Sequence, residues 1–169
     1  MTLKLSEPAP EMEGEYRSFA DDWARNGEEI TPYSARLLDR GYAQWLDDTL
    51  RGETEARGDR VPAHTLFLTD ETGRILGAVN IRHRLTPALL LRGGHIGYGV
   101  RPPERRRGYA ERMLALALSF AGRLGIRRAL VTCDRKNTAS VRTILRCGGV
   151  LENEIPDGER VTRRYWIAL

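Results

Sequence analysis

Residues 100–110 read Val-Arg-Pro-Pro-Glu-Arg-Arg-Arg-Gly-Tyr-Ala, between a strand-like run (His95 to Val100) and apolar residues at helical spacing. Arg101, Arg105, Arg106, Arg107 and Arg112 crowd positions 101 to 112. The only glycine there, Gly108, stands where the helix should begin. A glycine turn feeding a helix presents unpaired backbone N–H groups at the positive end of the helix dipole, and the two together bind phosphate. Arginine side chains beside it add charge-assisted contacts. The stretch therefore predicts a strand–turn–helix unit with a polyanionic ligand at its turn.

The neighbouring segments extend this unit. Downstream, Ala110, Met113, Leu114, Ala117, Leu118, Ala121 and Leu124 follow i, i+3, i+4 spacing, and Gly125 reads as the stop. Ala129 to Cys133 reads as a buried strand. Thr138 to Cys147 reads as a helix with Asn137 as N-cap and Gly148-Gly149 at its end. Val150 to Ile155 and Arg160 to Ile167 flank Pro-Asp-Gly-Glu as a hairpin. Upstream, Leu66 to Thr69 and Ile75 to Arg82 flank Asp-Glu-Thr-Gly, a turn with glycine available for positive φ. A short strand at Leu3 to Leu5 and helices over Glu11–Arg25 and Ser34–Leu50 precede them, with a polar loop at Arg51 to Asp59. Trp45, Trp166, Tyr42 and Tyr165 occupy periodic positions and read as core. The order predicts an α/β (α+β) fold: a mixed, mostly antiparallel central sheet with helices on both faces.

The chain has 169 residues, 41% of them hydrophobic and 30% charged, which suits one domain over 1–169. No apolar run reaches the roughly 20 residues of a membrane span, and the acidic N-terminus has no signal-like core. Two cysteines, Cys133 and Cys147, give neither a disulfide framework nor a metal site. A cytoplasmic protein without a metal is the expectation. Net charge is only +4, much of the excess lies in the arginine cluster, and few aromatics are interleaved with it. That pattern favours a local anionic ligand over a nucleic-acid footprint.

Val100, Pro102, Arg105, Gly108 and Ala110 match the pattern V-x-P-x-x-R-x-x-G-x-G/A. Asn137 and Ser140 match N-x-x-A/S, with Gly148 eleven residues after the asparagine. On these motifs, and on the order of its elements, the chain from Leu66 to Leu169 resembles the GCN5-related N-acetyltransferases (the GNAT family). Its Thr72–His83 run and its Arg164–Ile167 ending further resemble a bacterial subgroup of predicted acetyltransferases with unassigned substrates. The resemblance implies acetyl-CoA as co-substrate. Pantetheine would pair with main-chain groups around Tyr98 and Val100. The pyrophosphate would sit on the N–H groups of Arg105, Arg106, Arg107, Gly108, Tyr109 and Ala110, and Asn137 and Ser140 would line the thioester end. It implies direct acyl transfer to a primary amine of a small molecule or peptide in a ternary complex.

The sequence departs from the family at one position. A tyrosine that many members carry as acid toward the leaving thiolate is replaced by Ile144. Ser140 is the substitute candidate, ahead of Tyr165 and Cys147. For the base, His95 has a suitable unperturbed pKa of about 6.5, yet strand alternation turns it away from the Tyr98 and Val100 side chains. His83 reads as surface or cleft lining, and Asp134 as a cap or an acceptor contact. Two other readings stand beside the enzyme: a CoA-binding sensor that has lost catalysis, and a nucleic-acid-binding domain using the same arginines. Dimerisation through the sheet edge or terminal hairpin fits the pattern without a residue that argues for it.

Overall fold

The computed structural model describes residues 1–169. Strands β1 (Lys4–Ser6), β2 (Ala63–Thr69), β3 (Ile75–Arg82) and β4 (Ile96–Val100) form an antiparallel sheet in that order. The Asp-Glu-Thr-Gly turn joins β2 to β3. Gly73 sits at φ 87° and donates to Asp70 O, while Asp70 Oδ1 accepts from the Thr72 and Arg74 N–H groups. Strands β5 (Arg128–Asp134), β6 (Val150–Asp157) and β7 (Arg160–Ala168) form a second antiparallel sheet, ordered β5-β7-β6. The mostly antiparallel central sheet with helices on both faces that the sequence predicts is thus present, built as two antiparallel sheets that lie side by side at β4 and β5.

Helices cover both faces. Alternation along β2 sends Leu66 and Leu68 to one core and Phe67 to the other. The first core is closed by α4 (Tyr109–Arg123), through Met113, Leu114, Ala117 and Ala121, and by Ile144 of α5 (Thr138–Arg146). The second is aromatic and is closed by α1 (Glu13–Arg25) and α2 (Tyr42–Arg51). Its Tyr16 ring lies 5.3–6.0 Å from those of Phe19, Tyr42, Trp45 and Phe67. No helix is long and apolar enough to cross a membrane.

Three local readings are corrected. The helix expected over Ser34–Leu50 is a 3-10 turn at Tyr33–Ala35, then a loop, and only from Tyr42 a helix. Leu38 adopts φ 60° and is exposed, so its helical spacing was fortuitous. A short helix, α3 (Pro87–Leu91), was not foreseen, although Thr86 caps it by accepting from the Leu89 N–H. Trp166 is half-buried rather than core, because alternation sends Tyr165 and Ile167 inward and leaves its ring under the Arg128 guanidinium.

Arg101 is only 1% exposed. Its guanidinium donates to Asp22 Oδ2 at 2.5 Å, Glu15 Oε1 at 2.7 Å, Ser18 Oγ at 2.8 Å and the Ile75 carbonyl at 3.0 Å. Glu15 Oε1 also accepts the Ile75 N–H. One guanidinium therefore ties α1 to the end of β4 and the start of β3. Removing one partner of a buried charge network leaves the others uncompensated. Arg101→Met is expected to lower unfolding free energy by about 3–5 kcal/mol, read from urea denaturation. A loss within a few tenths of that of an exposed arginine substitution would contradict this role.

Candidate active site

The two sheets touch at one level. His95 donates its backbone N–H to Leu130 O at 2.8 Å, and the Leu130 N–H goes to the Nδ1 atom of the His95 ring at 2.9 Å, not to a strand carbonyl. Beyond this point no ladder joins β4 to β5. The Arg101 N–H bonds to Leu76 O on the β3 side, so alternation turns the main-chain groups of Tyr98 and Val100 toward the gap. A cleft of about 660 Å³ opens there, between β4, the start of α4 and the exposed side of α5.

One end of the cleft is built for an anion. Arg106 (φ 64°) and Gly108 (φ 79°) lie in the left-handed region, which curls the chain so that consecutive N–H groups converge. The N–H groups of residues 106 to 111 donate to no acceptor in the protein. A Cβ placed on Gly108 would meet nothing within 4 Å, so the space over this nest is open. Arg106 lines it, with Arg142 and Arg146 of α5 facing across. Tyr109 and Ala110 also line the cleft; the Tyr109 ring is buried, with its hydroxyl reaching Met1 Sδ at 3.6 Å. Arg105 lies over the Trp23 ring, pairs with Glu28 at 2.8 Å and donates through Nε to Val100 O at 3.2 Å. Arg107 turns away to Glu104, and Arg101 is buried under α1. The arginine cluster is therefore divided: Arg105 and Arg106 belong to the cleft, while Arg101 and Arg107 hold the scaffold.

At the other end, Tyr98 Oη and Ser140 Oγ are 2.9 Å apart. Ser140 is placed by α5, whose N-cap Asn137 accepts the Ser140 N–H through Oδ1 at 3.1 Å. Asp134 shapes the preceding turn by accepting from Lys136 N and Asn137 N. Burial, partly offset by the Ser140 hydrogen bond, pushes the Tyr98 phenol up to about 12, so it keeps its proton at neutral pH. Burial likewise pushes the Cys133 and Cys147 thiols up. Ile144 is fully buried under Gly149 and forms core.

The geometry does not bring His95 into the cleft. The ring is 93% buried at the seam, and burial, then Arg82, lowers its pKa. With Nδ1 accepting the Leu130 N–H, the neutral ring carries its proton on Nε2, a tautomer assigned from that bond. No lone pair is then left for a base. The residues missed from sequence are the Tyr98 hydroxyl, Arg142 and Arg146. The i, i+4 spacing of the two arginines after Asn137 could have revealed a cationic helix face, and the alternation of Tyr98 with Ile96 and Val100 its inward side chain.

Residues 5–150 match the family described as acetyltransferase (GNAT) domain. The chain belongs to the GNAT family. It is an acetyl-CoA-dependent acyltransferase, as its family is. No curated protein matches it by sequence. Among solved structures this GNAT protein is similar to the microcin C7 self-immunity acetyltransferase MccE, in complex with acetyl-CoA and AMP, at 18% identity and TM-score 0.70, covering 99% of this chain and 92% of that one. It is also similar to a variant of spermidine N-acetyltransferase SpeG from Vibrio cholerae, at 14% identity and TM-score 0.66 over 99% and 95%. The GNAT domain of S. lividans PAT aligns at 16% identity and TM-score 0.61 over 99% and 89%. At these identities the likeness is one of fold. Gly108→Glu, which strains a left-handed position and sets a carboxylate among the free N–H groups, is expected to weaken acetyl-CoA binding at least tenfold in calorimetry, on the order of 1.4 kcal/mol. An unchanged dissociation constant would contradict the anion nest.

Proposed function

We propose that this GNAT domain, spanning residues 1–169, transfers acetyl to a primary amine of a small molecule or peptide by direct attack in a ternary complex. The observation that carries the reading is the placement, in one cleft, of six free N–H groups at one end and a protonated Tyr98–Ser140 pair at the other. These residues fit acetyl-CoA. The N–H groups of 106–111, with Arg106, Arg142 and Arg146, would hold the pyrophosphate, and the Tyr98 and Val100 main chain the pantetheine. Val100 O, which now accepts from Arg105 Nε, would be the acceptor offered to a pantetheine amide. Bound acetyl-CoA supplies an acetyl thioester.

The protein then has to position the acceptor, stabilise the developing charge and manage protons. Tyr98 Oη takes the place of the family tyrosine that Ile144 lacks: it holds a proton beside the thioester end, and Ser140 Oγ orients it. Ser140, the acid candidate from sequence, thus acts through Tyr98. With no histidine in the cleft, the acceptor's proton leaves to water. The raised Cys133 thiol is a poor nucleophile, which favours direct transfer over an acyl-enzyme. Asn26 and Arg105 hold the Glu28 carboxyl below its usual range, and Glu28 and Glu29 line the cleft, where a cationic amine would exchange for their arginine partners.

The test is incubation with acetyl-CoA and a panel of polyamines, aminoglycosides and peptides, with thiol release and product mass as readouts. N-acetylated product is expected. A product acetylated on oxygen, or acetyl retained on Cys133, contradicts the reading. Tyr98→Phe should lower kcat by about a hundredfold or more while leaving acetyl-CoA affinity within a few-fold. Because the phenol titrates near 12, loss of its proton gives kcat no alkaline limb at ordinary assay pH.

A further inference from the structure

On the α4 side of the first sheet, far from the cleft, three chain segments bring together Glu7, Glu53 and His64. Glu7 follows β1, Glu53 follows α2, and His64 lies near the start of β2. We propose that these three side chains form a binding site for a divalent first-row transition-metal ion such as zinc. One ligand atom from each, an imidazole nitrogen or a carboxylate oxygen, lies within 4.8 Å of the other two. That is close enough for one ion to bridge all three, at bonds of about 2.0–2.2 Å. Two carboxylates and one imidazole suit a borderline ion, with water completing the shell, better than they suit a soft one.

Three further observations point to a cation. First, neither carboxylate is paired with lysine or arginine, in a chain whose acidic groups are widely paired with arginine. Besides the neighbouring Glu7 carboxyl, Glu53 meets His64 Nε2, at 3.5 Å. Second, Glu53 Oε1 is buried with no hydrogen-bond partner. A buried carboxylate oxygen left unpaired is costly, and an ion would satisfy it.

Third, the His64 ring is already held in a ligating orientation. Its Nδ1 is 2.7 Å from His83 Nε2, the two rings stack at 4.9 Å, and Phe120 packs edge-on at 4.8 Å. In the tautomer that carries its proton on Nδ1 and donates it to His83, Nε2 keeps its lone pair on the side of Glu53, 3.5 Å away. Metal-bound histidines are oriented by this kind of outer hydrogen bond. Phe120 is eleven residues along α4 from Tyr109, about 16 Å at 1.5 Å per residue, so the site is separate from acetyl transfer. A bound ion would fasten the N-terminal strand and the loop after α2 onto β2.

The experiment uses the full chain stripped with chelator. Zinc is titrated by calorimetry, with magnesium in parallel, and cobalt(II) is followed by visible absorption. One zinc per chain is expected, with a raised Tm and no comparable magnesium uptake. Glu53→Gln and His64→Gln should abolish it, and His83→Leu should weaken it by about 10–100-fold, as loss of an orienting partner does. The cobalt spectrum of the unaltered chain is independent of whether those variants fold. Visible bands without a thiolate charge-transfer band support the site. No saturable zinc uptake, uptake unchanged in the variants that fold, equal magnesium uptake, or a thiolate band from Cys133 or Cys147 would each overturn it.

Discussion

At the seam between the two sheets, the ring of His95 accepts the Leu130 N–H that a neighbouring strand's carbonyl would otherwise accept. A buried N–H must be satisfied somewhere, and satisfying it with a side chain lets β5 leave β4 without stranding a donor. Everything functional lies downstream of that exchange. The main-chain groups of Tyr98 and Val100 face an open gap instead of a partner strand, α5 stands across from them, and α4 begins where the gap widens. The histidine that sequence offered as a base is the residue at which the two sheets part.

The far wall of the cleft depends on a second buried contact. The Arg101 guanidinium fixes α1 against the ends of β3 and β4, and α1 in turn carries Trp23 and leads into Glu28 and Glu29. Close packing continues beyond it. A Cβ on Gly99 would come within 2.4 Å of Thr31 O, so only glycine lets the loop after α1 lie on β4. A segment that looked like one cationic patch thus divides between lining the cleft and internal tethering, set by the direction each side chain takes from the turn.

Much of this was legible beforehand. The glycine turn before α4 announced itself because glycine, helix period and arginines coincide within a dozen residues, and Asn137 and Ser140 because capping spacing is local. The terminal hairpin followed from Pro-Asp-Gly-Glu between alternating runs. What could not be read depends on contacts distant in sequence. Nothing local distinguishes Arg101, buried by Asp22, from Arg106, which lines the cleft. Nor does strand patterning show that β4 and β5 part company, because the break rests on one ring meeting one N–H thirty-five residues away. The late start of α2 went unseen because Leu37 and Leu38 fall by chance on the helical period that Tyr42, Trp45 and Leu46 truly occupy.

The most direct measurement of the central claim is a nitrogen–proton correlation spectrum of the labelled chain, titrated with acetyl-CoA. The largest shifts are expected at the backbone N–H groups of residues 106 to 111, with smaller ones at Tyr98, Val100 and Ser140. The Leu130 N–H should stay bonded to His95, its resonance little changed. Shifts centred elsewhere, with the 106–111 signals unmoved at saturation, would contradict that claim.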